Sequence, residues 1–468
     1  MLRRIQPDTV TPHIAIIGGG ASGTLTAVQL LRLAAEQQLE LQITLIDRYA
    51  RHGLGLAYST DDPAHLLNAT ASQMSAMPDD PDHLVRWAGL GPAAFLPRHQ
   101  YGQYLQATLA EAERQASPWA VLTRASAEVL ALWRDQGRRA LRLIFANGYL
   151  DADIAVLATG HLAAPLPFPV PVSRRIIAEP WLPGALEAIT DGSPVVIAGT
   201  GLTMLDLAIS IASQSTRATV HAFSRHGLLP RPHPGRPPAG RQLWLPVIAT
   251  STGPVRLAEL MWQVRSVIRD DPGGWADVID AIRPFVPGLW QRMPDSDKRQ
   301  FLQHVARYWE VHRHLMPPPT TSKITTLRCT GRLAVHRGRI SSVATAGDHL
   351  LITIRSAHRE FVLTAGWLVN AAGPATDIGA TDDALLRSLL ASGAARPDPV
   401  GLGLDASAGG ALIGATGLPS DVLFTLGPPL RGLWYETTAI PEIRLQAAAL
   451  AHRIVSMPAV SRLPGNAA

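Results

Sequence analysis

The chain of 468 residues contains a single cysteine and no long hydrophobic run. Cys329 has no partner for an internal disulfide, which fits the reducing cytosol, where we expect the protein. The same count excludes flavoproteins that work through a redox-active pair of cysteines. No stretch reaches the roughly 18 continuous apolar residues that a membrane-spanning helix needs, so we expect no membrane partner. Residues 5–13 are polar and contain proline, unlike the apolar core of a secretory signal.

The sequence also lacks a strong charge imbalance and a recognisable metal motif. Its 42 basic and 37 acidic residues give a formal net charge of +5, and the arginines are scattered, so no nucleic-acid partner is required. The densest histidine group, His304, His312 and His314 with Glu310, has no HExxH spacing, and we expect no metal site. With 47% apolar residues, a chain of this length predicts two or three globular domains.

Two glycine-rich loops are the most informative motifs, Gly18-Gly19-Gly20-Ala21-Ser22-Gly23 and Gly199-Thr200-Gly201-Leu202-Thr203-Met204. Each loop follows a short apolar strand and leads into a helix rich in Ala and Leu, which is typical of a dinucleotide-binding Rossmann unit. The free N–H groups and the positive end of the helix dipole then face a pyrophosphate. The expected contacts to one dinucleotide come from Gly18, Gly20, Ala21, Ser22 and Gly23, and those to a second from Gly199, Gly201, Leu202 and Thr203.

The first unit has the complete Rossmann pattern. A strand at His13–Ile17, a helix over about residues 20–37 and a strand at Leu41–Ile46 lead to Asp47 and Arg48. A carboxylate at this position accepts hydrogen bonds from ribose hydroxyls and repels a 2′-phosphate, so Asp47 favours FAD or NAD over NADP. A later buried strand at Ile154–Ala158 ends in a small turn, and we expect Thr159 and Gly160 to line the same site.

The second unit repeats this plan with differences. Met204 replaces the last glycine of the first loop, and Arg225 stands near the position of the acid, where it would suit the 2′-phosphate of NADPH. A mostly helical insertion is expected over about residues 226–324, introduced by a segment rich in proline. The unit closes at Gly373, which repeats the turn at Gly160.

Further motifs carry a resemblance to a known family: Gly53-Leu54-Gly55-Leu56-Ala57-Tyr58, His65-Leu66-Leu67-Asn68-Ala69, Phe95-Leu96-Pro97-Arg98, Tyr101-Gly102-Gln103-Tyr104-Leu105 and Ile440-Pro441-Glu442-Ile443-Arg444. Together with the two loops, they resemble a bacterial FAD/NAD(P)-binding family that is related to N-hydroxylating flavin monooxygenases. One branch of that family is similar to FAD-dependent urate hydroxylases.

The resemblance and the loops together predict an α/β fold. It would contain two Rossmann-like dinucleotide-binding domains of the three-layer ββα type with a helical insertion. We expect residues 1–190 and 375–468 to form the FAD-binding domain and residues 191–374 the NAD(P)-binding domain.

The resemblance also implies further site residues. Gly427 would approach the flavin, Thr437 and Ile440 would place N–H groups near its carbonyl end, and Asn68 would lie close by. A helix dipole aimed there would stabilise the charge of the reduced flavin. Cationic or amide donors would suit an anionic substrate. The candidate substrate contacts are Arg98, Tyr101, Arg307 and Arg313.

The predicted function is that of a flavin monooxygenase. NADH or NADPH would reduce FAD, and the reduced flavin would activate O2 to hydroxylate a small molecule. The resemblance makes urate, converted to 5-hydroxyisourate in purine breakdown, the leading substrate. Alternatives are an amine N-hydroxylase, an NAD(P)H:flavin oxidoreductase and a non-catalytic, redox-responsive protein that binds FAD and NAD(P). The sequence specifies no oligomeric state.

Overall fold

The computed structural model describes residues 11–134, 141–234, 252–270, 274–357, 359–375, 377–458 and 460. Within these ranges the strands form two mainly parallel sheets, each accompanied by a small antiparallel sheet. The arrangement reproduces the internal repeat that the two glycine loops predict, and the predicted α/β fold is confirmed.

The first sheet has six strands, and only its outermost pair is antiparallel. In spatial order the strands are Ala411–Ile413, Pro419–Thr425, Ile154–Leu157, His13–Ile17, Leu41–Asp47 and Ala120–Ser126. The strand that leads into the first glycine loop is therefore central, with the Leu41–Asp47 and Ile154–Leu157 strands on either side. This order brings Asp47, the loop and Thr159 to the same edge of the sheet.

Alternation along the central strand separates two cores. Ile14 and Ile16 face one core, and Ala15 and Ile17 face the other, as the two-residue period of a strand requires. The first core is covered by the helices Ala21–Gln37, His83–Ala88, Arg98–Ala116 and Ile440–Val455. The second is covered by the helix Ala384–Ala391 and an antiparallel sheet of Ala131–Arg134, Leu141–Phe145 and Gly148–Ala152. The first unit is therefore the predicted sandwich of helices, sheet and sheet.

The second sheet has five parallel strands. In spatial order they are Leu333–Arg337, Val220–Ser224, Val195–Ala198, Trp367–Asn370 and Ile176–Ile177. One face packs on the helices Leu202–Gln214 and Pro318–Cys329. The other packs on an antiparallel sheet of Arg339–Ala346, His349–Arg355 and Glu360–Ala365. The two units thus share one architecture.

The expected boundary at residue 190 follows residues that already belong to the second unit. The strand Ile176–Ile177 pairs with Trp367–Asn370 in the second sheet, and Leu186 and Ile189 pack in the second core. A two-residue strand is too short to give a periodic signal in the sequence, which explains why it escapes prediction. The second sheet therefore draws on residues before 191.

The insertion is helical, as its periodicity predicts. Its helices are Leu257–Asp270, Trp275–Ile282, Val286–Arg292, Asp295–Gln300 and Ala306–Arg313, with a π-helical turn at Phe301–Val305. They share a core with Leu402 and Tyr435 from the C-terminal part of the chain. Residues 235–251 and 271–273 of the predicted insertion lie outside the described residues, as do residues 235–238 of the proline-rich segment.

Short helical turns complete the described structure at Ala71–Gln73, Arg283–Phe285, Ile378–Ala380, Pro428–Leu430 and Arg431–Trp434. Among the described residues, no helix combines the length and apolar character needed to cross a bilayer.

Candidate cofactor-binding site

The first glycine loop requires glycine at two positions. Gly18 has φ +114°, and a Cβ atom there would lie 2.2 Å from the carbonyl oxygen of Ala158. A Cβ on Gly23 would lie 1.9 Å from the carbonyl oxygen of Gly18. These clashes mean that the helix, the turn and the neighbouring strand can approach each other only without side chains. The close packing leaves the N-terminus of the Ala21–Gln37 helix at the sheet edge.

Asp47 holds this loop in place. One carboxylate oxygen accepts a hydrogen bond from the Gly19 N–H at 3.1 Å, and the other accepts from the N–H groups of Tyr49 at 2.9 Å and Arg51 at 3.0 Å. The residue ends the strand Leu41–Asp47 next to the loop, which is the position expected for a ribose contact. Arg48 is exposed beside it and lies 3.5 Å from Glu128.

Two further glycines, which the sequence analysis did not assign to the site, complete the first loop. Gly53 has φ +87° and donates its N–H to the Gly19 carbonyl at 2.8 Å. Gly55 has φ +54°, and a Cβ there would lie 2.7 Å from the Gly20 Cα. The segment thus packs on the back of the loop. Its repeated glycines were the available signal, since a close backbone approach favours glycine.

The C-terminal segment reaches the same loop. Gly427 has φ +72°, and a Cβ there would lie 2.5 Å from the Ser22 hydroxyl oxygen. Its N–H donates to the Gln446 side chain at 2.8 Å, and its carbonyl accepts from the Thr437 hydroxyl at 3.1 Å. The Gln446 amide also donates to Thr437 at 2.7 Å. The structure therefore brings the predicted residues Ser22, Gly427 and Thr437 together, and Ile440 begins the helix that carries Gln446.

The second glycine loop has equivalent geometry. Gly199 has φ +124°, and a Cβ there would lie 2.0 Å from the carbonyl oxygen of Ala371, the counterpart of Ala158. Met204 is fully buried in the core of the second unit, so its side chain does not occupy the mouth of the loop. Leu202 and Thr203 form the first turn of the helix, as predicted.

The end of the neighbouring strand differs in chemistry between the units. In the second unit Ser224 replaces Asp47, and the hydroxyl of Thr200 lies 2.9 Å from the Ser224 hydroxyl and 2.6 Å from the Leu228 carbonyl. Arg225 follows as an exposed residue. Burial, together with the cations Arg225 and Arg337, lowers the pKa of His226. Positive charge is thus concentrated where a ribose phosphate would lie.

Several glycines face open space at these edges. A Cβ added to Gly160, Gly201 or Gly373 would meet no atom within 4 Å. Gly160 and Gly373 lie three residues after the ends of equivalent strands, and the chain segments that follow them are joined by a hydrogen bond from the Ala375 N–H to the Leu162 carbonyl at 3.1 Å. Both edges therefore present clear backbone, which is what a bound pyrophosphate or ribityl chain requires.

A cavity lies beside Gly160. Its lining includes Thr159, Gly160 and His161 from the first unit, Pro374 from the second, and Pro428 and Arg431 from the C-terminal segment. The predicted residues Thr159 and Gly160 therefore border a space that elements of both units enclose. Thr159, Gly160 and Gly427 fit a group that needs backbone contacts and little side-chain bulk.

Tyr101 is not placed to contact a substrate. Its side chain has no exposed surface, and its hydroxyl donates to the Met74 carbonyl at 2.9 Å. It also packs against the ring of Tyr58 at a centroid distance of 4.8 Å. Tyr101 and Tyr104 stand three residues apart on the helix Arg98–Ala116, a spacing that does not distinguish a core face from a binding face, and the structure does not support the expected contact.

Arg98 joins the two units. It donates to Asp206, in the helix of the second unit, at 3.1 Å, and both side chains are largely buried. Burial raises the pKa of Asp206, and the Arg98 charge opposes this shift. Next to this pair, the His65 ring lies 2.8 Å from the Ser210 hydroxyl. Arg98 therefore forms an ion pair at the interface between the two units and is not free to contact a substrate. Asn68 is half-buried in the segment that follows His65.

Arg307 and Arg313 lie in the insertion and face acidic partners. Arg307 donates to Glu310 at 3.1 Å, and Glu310 also accepts from Arg431 at 3.0 Å. The Arg313 guanidinium lies 3.3 Å from Glu436, and burial lowers its pKa. The two predicted substrate residues thus stand among ion pairs that connect the insertion to the C-terminal segment.

Comparison with known proteins finds similarity in the first unit. Residues 15–162 match a family model described as FAD-NAD(P)-binding. Among curated proteins, the chain is 29% identical over 221 residues to the uncharacterized protein YdhS of Escherichia coli, and 28% identical over 230 residues to the nitrosuccinic acid synthase npaA of Aspergillus oryzae. These matches cover 43% and 42% of this chain but only 39% and 35% of the two relatives.

Solved structures resemble nearly the whole chain. The ornithine N-hydroxylase KtzI of Kutzneria sp. 744, solved with reduced FAD, NADP+ and L-ornithine, is 15% identical with a TM-score of 0.63 over 95% of this chain and 99% of that one. The cadaverine monooxygenase DfoA of Erwinia amylovora, bound to FAD, is 13% identical with a TM-score of 0.62 over 97% and 96%. The chain therefore has the fold of two-dinucleotide flavoproteins, and its residues 15–162 match the FAD-NAD(P)-binding family model.

Proposed function

We propose that this protein is an FAD-dependent, NADPH-consuming monooxygenase that hydroxylates the nitrogen of a primary amine. One observation carries the proposal: two glycine loops of equivalent geometry belong to two units whose linking segments meet at Leu162 and Ala375. Two dinucleotides held at those loops would have their reactive ends directed toward one space, which includes the cavity beside Gly160. Electron transfer between the two needs such a shared space.

The chain supplies binding and orientation rather than acid-base groups. FAD, when bound, supplies the redox chemistry and the activation of O2. The N–H groups at Gly20–Ser22 would hold its pyrophosphate, Asp47 would accept from its ribose, and Gly427 with Thr437 would order the backbone that faces its ring. The single cysteine leaves no dithiol to receive the electrons, which favours O2 as the acceptor.

The second loop favours NADPH over NADH. The acid that would repel a 2′-phosphate is replaced by Ser224, and Arg225 stands exposed at the next position. Arg337 ends the adjacent strand in register with Ser224, which adds a second cation at the same edge. An arginine can bind a phosphate through two parallel hydrogen bonds, so the pair suits this group.

The comparisons favour an amine over urate. The structures with this fold over almost the full chain include hydroxylases of ornithine and cadaverine, and one curated relative is a nitrosuccinic acid synthase, whose product carries oxidised nitrogen. The urate expectation rests on the sequence resemblance alone. The proposed reaction is R–NH2 + O2 + NADPH + H+ giving R–NHOH + NADP+ + H2O. We also propose that the protein acts in the cytosol.

The test combines reconstitution with product analysis. Protein loaded with FAD is mixed with NADPH and O2 in the presence of L-ornithine, L-lysine, cadaverine or urate, and NADPH loss is compared with the hydroxylated product by mass spectrometry. A hydroxylamine formed in proportion to NADPH supports the proposal. A hydroxylated purine from urate would replace it with the urate assignment. Hydrogen peroxide alone would indicate a flavin oxidoreductase, and an unreduced flavin a non-catalytic binding protein.

A control variant links the activity to the predicted site. Gly18→Ala places a methyl group 2.2 Å from the Ala158 carbonyl oxygen, so the loop must shift and FAD retention should be lost. Normal flavin content in this variant would disprove the placement of FAD on the first loop.

A further inference from the structure

Hydrogen bonds join the insertion to the C-terminal segment that contacts the first glycine loop. The Trp290 indole N–H donates to the Gly432 carbonyl at 2.8 Å, and the Trp309 indole N–H donates to Glu436 at 2.9 Å. Arg283 donates to Glu442 at 2.8 Å. These bonds and the ion pair between Glu310 and Arg431 span the stretch of chain from residue 431 to residue 442. The insertion is therefore attached along this segment rather than free above it.

Within this C-terminal segment, Tyr435 has an unusual backbone conformation. It has φ +57° and ψ −57°, a conformation that residues with a side chain rarely adopt. A residue persists in such a conformation only when its surroundings hold it. The backbone reversal at Tyr435 leads directly to Glu436 and Thr437, so the conformation determines how Thr437 enters the site.

Aromatic rings of the insertion hold Tyr435. Its side chain is 5% exposed, its ring lies against Trp290 at a centroid distance of 4.7 Å and 30°, and Phe301 meets it edge-on at 5.1 Å and 90°. Trp290 thus contacts the segment twice, through the Tyr435 ring and through the Gly432 carbonyl. Loss of the indole removes both restraints.

A continuous series of contacts leads from these rings to the first glycine loop. Tyr435 precedes Glu436, and Glu436 is fixed by Trp309 and Arg313. Thr437 follows and donates to the Gly427 carbonyl at 3.1 Å, and Gly427 lies against Ser22 at the start of the first helix. The position of the flavin-facing backbone therefore depends on packing inside the insertion.

We propose that Trp290 and Phe301 are positioning residues for the flavin. By holding Tyr435 in its positive-φ conformation, they would set Thr437 and Gly427 in the geometry that binds FAD. This inference rests on the proposed function, because it assumes that FAD occupies the first loop. It assigns the insertion a role in cofactor geometry, in addition to any cover it gives to a substrate.

The experiment compares two tryptophans of the insertion. Trp290→Ala removes the ring that holds Tyr435, and Trp262→Ala removes a ring that is 68% exposed on the helix Leu257–Asp270. The dissociation constant for FAD is measured by quenching of flavin fluorescence on titration with apoprotein, and the visible spectrum of the bound flavin is recorded. The dissociation constant for NADPH serves as the internal reference.

Trp290→Ala should weaken FAD binding by about tenfold or more, since it removes a hydrogen bond and a ring contact. It should also shift the visible absorption band while NADPH binding changes less than twofold. Trp262→Ala should change none of these values. Trp290→Phe, which retains a ring but loses the bond to Gly432, should give an intermediate FAD affinity.

If Trp290→Ala does not fold, Phe301→Leu tests the same proposal, and it should also weaken FAD binding. Folded variants with wild-type FAD affinity and spectrum would overturn the proposal, as would equal losses of FAD and NADPH affinity, which would indicate general destabilisation. Failure of the wild-type protein to bind FAD would instead overturn the proposed function. The two failures are therefore distinguishable.

Discussion

Gly201→Ala should impair NADPH binding without disturbing the fold. Gly201 precedes the helix Leu202–Gln214 with φ −83° and ψ −170°, which any L-residue can adopt. A Cβ atom there would meet nothing within 4 Å. Alanine is a poorer N-cap than glycine by roughly 0.5–1 kcal/mol, and the reduced freedom of the unfolded chain returns about 0.4–1 kcal/mol. The melting temperature should therefore change by no more than about 3 °C.

Although the substitution should hardly change folding stability, it should weaken binding of the dinucleotide. The open space beside Gly201 is where a pyrophosphate would approach the backbone N–H groups, and the added methyl group would hold it away. Loss of one hydrogen bond to a charged group costs about 1.5–3 kcal/mol. This corresponds to a rise of roughly 10- to 100-fold in the dissociation constant for NADPH, while FAD binding at the first loop should be unchanged.

Titration calorimetry with NADPH, alongside thermal unfolding, measures both quantities. Gly20→Ala is the matched variant in the first loop, because its Cβ would make only an ordinary contact of 3.5 Å with the Gly55 Cα. It should weaken FAD and spare NADPH. Gly91→Ala, in an exposed turn with open space around the Cβ, should affect neither cofactor. A folded Gly201→Ala protein that binds NADPH as tightly as the wild type would refute the assignment of the second loop.

Three further outcomes follow from the described contacts. Arg225→Ala should raise the KM for NADPH by up to about tenfold more than the KM for NADH, measured in steady-state reduction; equal changes would mean that Arg225 does not contact the phosphate. Tyr101→Phe should destabilise the protein by about 1–2 kcal/mol in urea unfolding, because the Met74 carbonyl loses its donor, and should leave the substrate KM unchanged; an altered KM with intact stability would restore Tyr101 as a substrate contact. Burial and the Arg313 charge lower the pKa of His314 to about 3 in the folded protein. As the pH falls below about 6.5, His314 is therefore protonated in the unfolded chain but stays neutral in the folded chain. Stability should therefore fall as the pH drops below about 6.5, by at most roughly 1.4 kcal/mol per pH unit from this group, and His314→Gln should flatten the slope in pH-dependent melting; an unchanged slope would contradict this account.

The glycine loops could be predicted because their signal is local. The turn at Gly18 needs a positive φ and a close contact with Ala158, and both requirements restrict the residue type at that position. Strands such as His13–Ile17 are short apolar runs between turn residues, which the sequence displays directly. The fold, its helical insertion and the convergence of Ser22 with Gly427 follow from such patterns and from the family resemblance.

Long-range pairs could not be predicted in this way. Arg98 and Asp206 are separated by 108 residues, and nothing near either residue indicates the other. The sequence therefore suggests that Arg98 is a cation available to a substrate, although in the structure it pairs with Asp206 at the interface between the units. The positive φ of Tyr435 cannot be predicted from the sequence either, because it depends on contacts with the rings of Trp290 and Phe301 rather than on a neighbouring glycine.

The hydrogen bond between Leu162 and Ala375 also has a consequence for protein engineering. The chain leaves and re-enters the first unit at adjacent points, and every strand of the second sheet and its antiparallel partner lies between them. A shortened gene that joins residue 162 directly to residue 375 would need no added linker and would keep all the strands of the six-stranded sheet. Conversely, the excised segment, residues 163–374, could be exchanged between homologous chains through two closely spaced junctions.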